Sequence, residues 1–310
     1  MSLKVLFAAG DHRWDEYRDT LPSALAEAGL DADLSRDHAA DETDYIVYAP
    51  NSGLQDFTPY SRAKAVLCLW AGVEDIVTNQ TLTQPLTRMV DPALTEGMVE
   101  WVTGHVLRHH LGMDAHIVNP TGKWNPVAPP IARDRTVGIL GLGALGRACA
   151  AALAGLNFNV VGWSRSPKEL DGIMCQSGPE GLQATLAVAE ILVLLLPLTD
   201  ETKNILDAAA LSRLPEGAVL INPGRGPLID DDALLVALDE DRIAHATLDV
   251  FRIEPLPWDH PFWAHPKVTV TPHIASETRA PSASRVIAEN IRRSEAGEAL
   301  LNLVDRSAGY

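Results

Sequence analysis

The chain is short of cysteine, of long apolar runs and of basic charge, and each shortage narrows what it can be. It has three cysteines in 310 residues, Cys68, Cys149 and Cys175, with no Cys-x-x-Cys spacing, which argues against a disulfide framework. Cys68 lies in the apolar run AVLCLW and Cys149 in an alanine-rich stretch, so buried, inert thiols are expected. No apolar run approaches the roughly 18–20 residues that cross a bilayer. The opening MSLKVLFAAGDHRWDE carries too short an apolar core for a signal peptide and reads as a first β-strand. A cytoplasmic protein without a membrane segment is the expectation. Lys and Arg number 25 against 41 Asp and Glu, a net charge of −16 that repels nucleic acid. An anionic small substrate would need a local basic site against that field. No short-period repeat and no low-complexity tract is present.

What is there is ordinary globular composition, 46% apolar and 21% charged, at a length that suits two domains. Short apolar runs alternate with helical patterns, the mark of parallel βα units. Strands are expected near 3–8, 44–49, 65–70 and 86–90. A helical stretch follows over DPALTEGMVEWVTGHVLRHHL (91–111), with Thr95 as a candidate cap, and a proline-rich loop over 119–135. A second block of about six strands begins at TVGIL (136–140) and continues at 158–163, 190–196, 217–222, 245–250 and 267–271. A last helix runs from about Glu277 to Gly297. The fold class expected is α/β: two doubly wound parallel-sheet domains with an interdomain cleft. Residues 1–94 with 277–310 would form the smaller, substrate-binding domain, and 95–276 a Rossmann domain.

The turn after 136–140 reads GLGALG. Gly141 permits the tight turn, Gly143 lets backbone approach a pyrophosphate, and Gly146 lets the helix pack on the strand. The helix N-terminus that opens at Ala144 and Leu145 offers N–H groups to phosphate. About 20 residues on, where an acidic residue would hold the ribose hydroxyls of NAD, stand Ser164, Arg165 and Ser166, with Lys168 nearby. A guanidinium grips a 2′-phosphate that a carboxylate would repel. NADP(H) is therefore the expected cofactor, with NAD(H) taken at lower affinity.

Three further strand ends carry chemistry. INPGRG (221–226) presents Arg225, LDVFRIEPLP (248–257) presents Glu254, and VTVTPHIAS (268–276) presents His273. Open α/β sheets bind ligands at such carboxyl ends. Reducing a 2-keto acid needs a permanent cation on the carboxylate and carbonyl, which Arg225 supplies. It also needs an acid for the developing alkoxide, which His273 supplies, its proton held by Glu254. Taken singly, each residue has an ordinary alternative: a cap, a loop charge, a core histidine.

On these residues, together with LWAGVEDI (69–76), GILGLGALG (138–146), WSRS (163–166), HPKVTVTPHIA and the closing VDRSAGY, the chain resembles the D-isomer-specific 2-hydroxyacid dehydrogenase family over essentially its whole length. Within that family it is similar to the glyoxylate/hydroxypyruvate reductase A group. The resemblance implies a Rossmann cofactor domain, a flavodoxin-like substrate domain and reduction of small anionic 2-keto acids, glyoxylate and hydroxypyruvate first. It implies that Arg225 binds substrate and that Glu254 supports the acid–base His273. It implies that the backbone at Ala71, Gly72 and Val73 receives the substrate carboxylate. Pro197, Asn222, Pro223 and Asp249 would lie around the nicotinamide half, although Asp249 read from residues alone is equally an ordinary end-of-strand acid. Trp70 and Tyr48 stand where relatives carry, respectively, a small residue and a pocket-facing tryptophan, so they are expected to bear on the acyl preference.

His105 and His109 share a helix face, with His110 beside them, but no third ligand completes a metal site, so no metal is expected. The resemblance makes that helix part of a homodimer interface of the cofactor domain. Asp230, Asp231 and Asp232 read as a cap and first-turn acids. Trp258 and Trp263 either wall the cleft or pack. Two other readings compete: a reductase of bulkier 2-keto acids such as phenylpyruvate, and a non-catalytic NAD(H)-sensing binding protein.

Overall fold

Aliphatic and β-branched runs of four to six residues make most of the strands, buried on both faces as parallel sheets require. The structure is a computed structural model, and it describes residues 2–117, 121–124 and 126–306. It divides into two compact units, residues 1–94 with 277–310, and residues 95–276.

The first unit is a five-stranded parallel sheet of β1 (Leu3–Ala8), β2 (Ala32–Ser35), β3 (Tyr45–Tyr48), β4 (Ala65–Cys68) and β5 (Leu86–Thr87). Their spatial order is β2-β1-β3-β4-β5, the flavodoxin-like order. One face is covered by the helices Thr20–Glu27 and Ala280–Glu295, whose Leu21, Leu25, Ile287 and Ile291 meet Val5, Phe7, Val47 and Leu67. The other face packs Tyr48, Val66 and Cys68 on Phe57, Ile76 and Leu82. Each such aliphatic side chain contributes about 1.5–3 kcal/mol on leaving water.

The second unit is a seven-stranded parallel sheet: β6 (Thr136–Leu140), β7 (Asn159–Ser164), β8 (Met174–Ser177), β9 (Ile191–Leu194), β10 (Ala218–Asn222), β11 (Ile243–Leu248) and β12 (Val268–Val270). The order is β12-β11-β10-β9-β6-β7-β8. Strand succession reverses between β6 and β9, so the topological switch point lies beside the carboxyl end of β6. Val102 and Val106 of the helix Pro92–His110 pack on one face with Cys149 and Leu153, while Leu186, Leu234 and Leu238 cover the other. Cys68 and Cys149 are buried, and burial pushes both thiols up to about 12; Cys175 is partly exposed, and all three are free.

Two strands fall outside the sequence expectation. β2 reads ADLS and β8 reads MCQS, and both are sheet edges with no fully buried residue, so they lack the apolar run that marks the others. The helix cap also differs. Asp91, not Thr95, takes the backbone N–H groups of Ala93 and Leu94, each at 3.3 Å, and the helix begins at Pro92. Asp230 caps the helix Asp231–Asp239 by accepting from the Ala233 N–H at 3.0 Å, with Asp231 and Asp232 in the first turn. No helix among the described residues is long and apolar enough to cross a membrane.

Candidate active site

The glycine turn closes over β6 at the switch point. Gly141 has φ 109°, and a Cβ there would stand 2.5 Å from the Leu195 carbonyl oxygen, so both conformation and space demand glycine. Gly143 is the N-cap of the helix Ala144–Gly155, and a Cβ on it would meet nothing within 4 Å. The first turn of that helix thus faces an open cradle lined by backbone N–H groups, the donor set that a pyrophosphate requires.

At the end of β7 the Ser164 hydroxyl is buried and donates to the Ser166 carbonyl at 2.8 Å. That bond spans the turn. Arg165, Ser166 and Lys168 are exposed beyond it. The Arg165 guanidinium lies 3.7 Å from Glu201, an exposed pair that an arriving phosphate can compete with. Charge and donors here fit a 2′-phosphate.

The reactive groups stand on the next loops of the same sheet. After β10, buried Asn222 folds the 222–226 turn. Its Nδ2 donates to the Arg225 carbonyl at 3.0 Å and its Oδ1 accepts from the Gly224 N–H at 3.0 Å. Arg225 reaches back to the Gly224 carbonyl at 2.8 Å. Gly226 packs on the neighbouring loop so closely that a Cβ would fall 2.0 Å from the Phe251 carbonyl carbon. That neighbouring loop presents Glu254, whose Oε1 accepts from the Phe251 N–H at 2.8 Å. Its Oε2 lies 2.7 Å from Nδ1 of His273. A carboxylate only accepts, so Nδ1 carries hydrogen and Nε2 is left for other partners.

The electrostatics follow. The Glu254 hydrogen bond raises the His273 pKa above 6.5, against burial and the nearby Arg225 charge, which lower it. Burial raises the Glu254 carboxyl, but the hydrogen bonds from His273 and the Phe251 N–H outweigh it and hold the group below 4.5. A permanent cation and a carboxylate-backed imidazole on adjacent loops can bind an anion and pass it a proton.

A sequence profile described as the D-isomer specific 2-hydroxyacid dehydrogenase NAD binding domain matches residues 104–275. The chain belongs to that dehydrogenase family. Glyoxylate/hydroxypyruvate reductase A of Serratia proteamaculans is 42% identical over 257 residues, 80% of this chain and 82% of the relative. A D-isomer specific 2-hydroxyacid dehydrogenase from Xanthobacter autotrophicus, solved with NADPH and MES, is 40% identical at a TM-score of 0.93, covering 100% of both chains. An NADPH-dependent glyoxylate/hydroxypyruvate reductase from Sinorhizobium meliloti, solved with NADP and sulfate, is 34% identical at 0.87, again over 100% of both.

The remaining expected residues of this dehydrogenase fall in varied surroundings. Pro197, beyond β9, accepts the Thr202 hydroxyl at 2.7 Å through its carbonyl. Pro223 is buried in the Asn222 turn. Asp249 is fully buried and holds the His273 turn through both carboxylate oxygens. Thr271 shares that bonding, and nothing in the sequence marks it beyond its place two residues before the histidine. In the first unit Trp70, Ala71 and Gly72 are partly exposed and Val73 is buried. Tyr48 is 1% exposed, its ring edge-on to Phe57 at 5.3 Å, so in that unit it is a core side chain. Trp258 is 90% exposed and Trp263 is 51% exposed, its indole N–H on the Pro257 carbonyl, so neither is a core residue.

The histidine helix also resolves. Nε2 of His109 hydrogen-bonds the Thr247 hydroxyl at 2.9 Å, and its ring lies 4.9 Å from that of His245. His105 lies on Trp101 with centroids 4.2 Å apart, and His110 is edge-on to Phe158. Among the described residues no cluster of three or more His, Cys, Asp or Glu could hold a metal.

Proposed function

We propose that this dehydrogenase reduces small 2-keto acids, glyoxylate and hydroxypyruvate foremost, to 2-hydroxy acids with NADPH. The observation that carries the reading is the His273–Glu254 pair at 2.7 Å on the loop next to Arg225. The names of the Serratia and Sinorhizobium relatives support the substrate class, and the NADPH and NADP complexes support the cofactor.

Gly143, with the N–H groups of Ala144, Leu145 and Gly146, holds the pyrophosphate, and Arg165, Ser166 and Lys168 hold the 2′-phosphate. Bound NADPH supplies the hydride. Arg225 fixes the substrate carboxylate and polarises the keto oxygen, and in the first unit the backbone at Ala71, Gly72 and Val73 offers N–H donors for a carboxylate. His273 gives the Nε2 proton to the oxygen as it becomes a hydroxyl, and Glu254 keeps the imidazolium charged and aimed until then. The loop residues Pro197, Asn222 and Pro223 shape the nicotinamide side.

A homodimer through the cofactor-binding unit accompanies this reading. Ile117, Trp124, Val127 and Ile131 each expose 56–90% of their surface, large apolar side chains of that unit that a second copy would cover.

The test is the rate of NADPH and NADH oxidation with glyoxylate, hydroxypyruvate, pyruvate and phenylpyruvate. Turnover of the first two with a strong NADPH preference is expected. Phenylpyruvate as the best substrate would replace the small-acid reading. Tight NADPH binding without turnover of any keto acid would point to the sensing protein.

A further inference from the structure

We infer that Asp249 and Thr271 are positioning residues that hold the His273 backbone in a left-handed turn, and so keep its ring on Glu254. His273 has φ 54°, in the left-handed region that only a few per cent of non-glycine residues occupy. What holds it there is one residue of the neighbouring strand end. The Asp249 carbonyl accepts from the His273 N–H at 2.8 Å. Its Oδ1 accepts from the Thr271 hydroxyl at 2.6 Å and from the Ile274 N–H at 2.9 Å, and its Oδ2 accepts from the Ala275 N–H at 2.9 Å. Asp249 is 0% exposed, and all three donors to its carboxylate are neutral.

The geometry behind this is a strand ladder that continues past its ends. β11 and β12 pair in parallel as far as Leu248 and Val270, and the Thr271 N–H still reaches the Leu248 carbonyl at 2.9 Å. Beyond that point the chain after β12 must reverse, and it does so around the Asp249 carboxylate. Residues 271, 273, 274 and 275 are all tied to Asp249, so the histidine lies inside a clamp closed on both sides. Without the clamp, the backbone at 273 relaxes toward negative φ, and the imidazole leaves its 2.7 Å contact with Glu254.

The resemblance to relatives implies a role for Asp249 around the nicotinamide half, and the two roles separate by experiment. Thr271→Val removes the hydroxyl donor and keeps the side chain's size. Thr271→Ser keeps the donor. The positioning role rests on the proposed acid–base part of His273, so one readout must not need turnover. That readout is an NMR titration of the His273 ring, assigned by its loss in His273→Asn. The others are kcat against pH with glyoxylate and NADPH, and the NADPH Kd from nicotinamide fluorescence.

In Thr271→Val the His273 pKa is expected to drop back toward that of an ordinary histidine. Its kcat should fall by about tenfold or more, the scale on which small misplacements act. The NADPH Kd should stay within about twofold of the parent, the factor left when no phosphate or nicotinamide contact is touched. Thr271→Ser should restore both ring pKa and kcat. An unchanged His273 pKa in a folded Thr271→Val protein overturns the inference, as does a loss confined to NADPH affinity. Should the valine variant not fold, Thr271→Ser against Thr271→Ala decides on the same readouts. A parent enzyme that reduces no keto acid sinks the functional reading, while the ring titration still judges the clamp.

Discussion

A side chain on Gly146 would put its first carbon 1.7 Å from the carbonyl oxygen of Gly141, five residues earlier in the same turn. A side chain on Gly143, between them, would meet nothing within 4 Å. Gly146, like Gly141, is therefore required by the fold, whereas Gly143 is not and is left to the proposed phosphate site. Gly143→Ala should keep the parent Tm while NADPH affinity falls by about tenfold or more, since a methyl group would occupy the phosphate cradle. Gly146→Ala should lower Tm by several degrees or abolish folding, as overpacking by 1–3 kcal/mol or more does. Thermal melts with and without NADPH separate the two. Equal loss of Tm in both variants would refute the division of labour.

On the proposed mechanism, protonation of His273 sets the pH dependence of reduction. Its raised pKa keeps the acid form into neutral solution, so kcat for the keto acid should hold steady at low pH and fall as pH climbs through that pKa. Glu254→Gln removes the main cause of the shift, and the alkaline limb should move to lower pH. His273→Ala should lose about 10²- to 10⁴-fold in kcat. A Glu254→Gln profile that superposes on the parent would count against the pair. The same pair has a stability window. The histidine's share is complete below about 6.5 and fades as pH rises through its raised value, and the carboxylate's is complete above about 4.5 and fades below its lowered one. Both are fully present only between those limits.

Cofactor choice should reside in the turn after β7. On the proposed reading Arg165 makes one charge-assisted contact with the 2′-phosphate, so Arg165→Ala should raise the KM for NADPH about 10- to 100-fold and leave that for NADH nearly unchanged. A Michaelis titration with each nucleotide measures it. Equal effects on both would mean that Arg165 serves the fold and not the phosphate.

Burial holds His109 neutral in the folded chain, its pKa pushed down to about 3, and His245 to about 4. The unfolded chain takes up those protons near 6.5, so stability should fall as pH drops below that point. His109→Gln keeps a hydrogen-bonding partner for Thr247 and deletes one titrating ring. Its Tm should therefore drop less than the parent's on moving from about pH 7.5 to about pH 5. Parallel melting curves for the two proteins across that range would remove His109 from the account.

Much of this was open to reading from the residues, and the gaps have physical causes. Buried strands such as YIVY, AVLC and ILVL announce themselves because both faces need apolar side chains. β2 and β8 do not, because an edge strand needs only backbone partners. Arg225, Glu254 and His273 stand at strand ends where chemistry is expected, yet the left-handed turn at His273 has only a weak local signal, since most histidines take negative φ. It is imposed by Asp249, 24 positions away in sequence, which by itself reads as any end-of-strand acid. Tyr48, expected to bear on the acyl preference because relatives carry a pocket-facing tryptophan there, has its ring edge-on to Phe57 in the core of the first unit.

The first unit takes its sheet from residues before 95 and one of its covering helices from residues after 276. On a ribosome, the two parts are made far apart in time. Val5, Phe7, Val47 and Leu67 emerge early and wait for Ile287 and Ile291, late-made partners on that face. The second unit, unbroken in sequence, can close during the wait. Newborn chains therefore carry an aliphatic face covered only by the helix Thr20–Glu27 through most of their synthesis, a surface for chaperones to guard. A frameshift or nick that removes only the helix Ala280–Glu295 leaves that face permanently open, and aggregation rather than loss of catalysis is the first consequence.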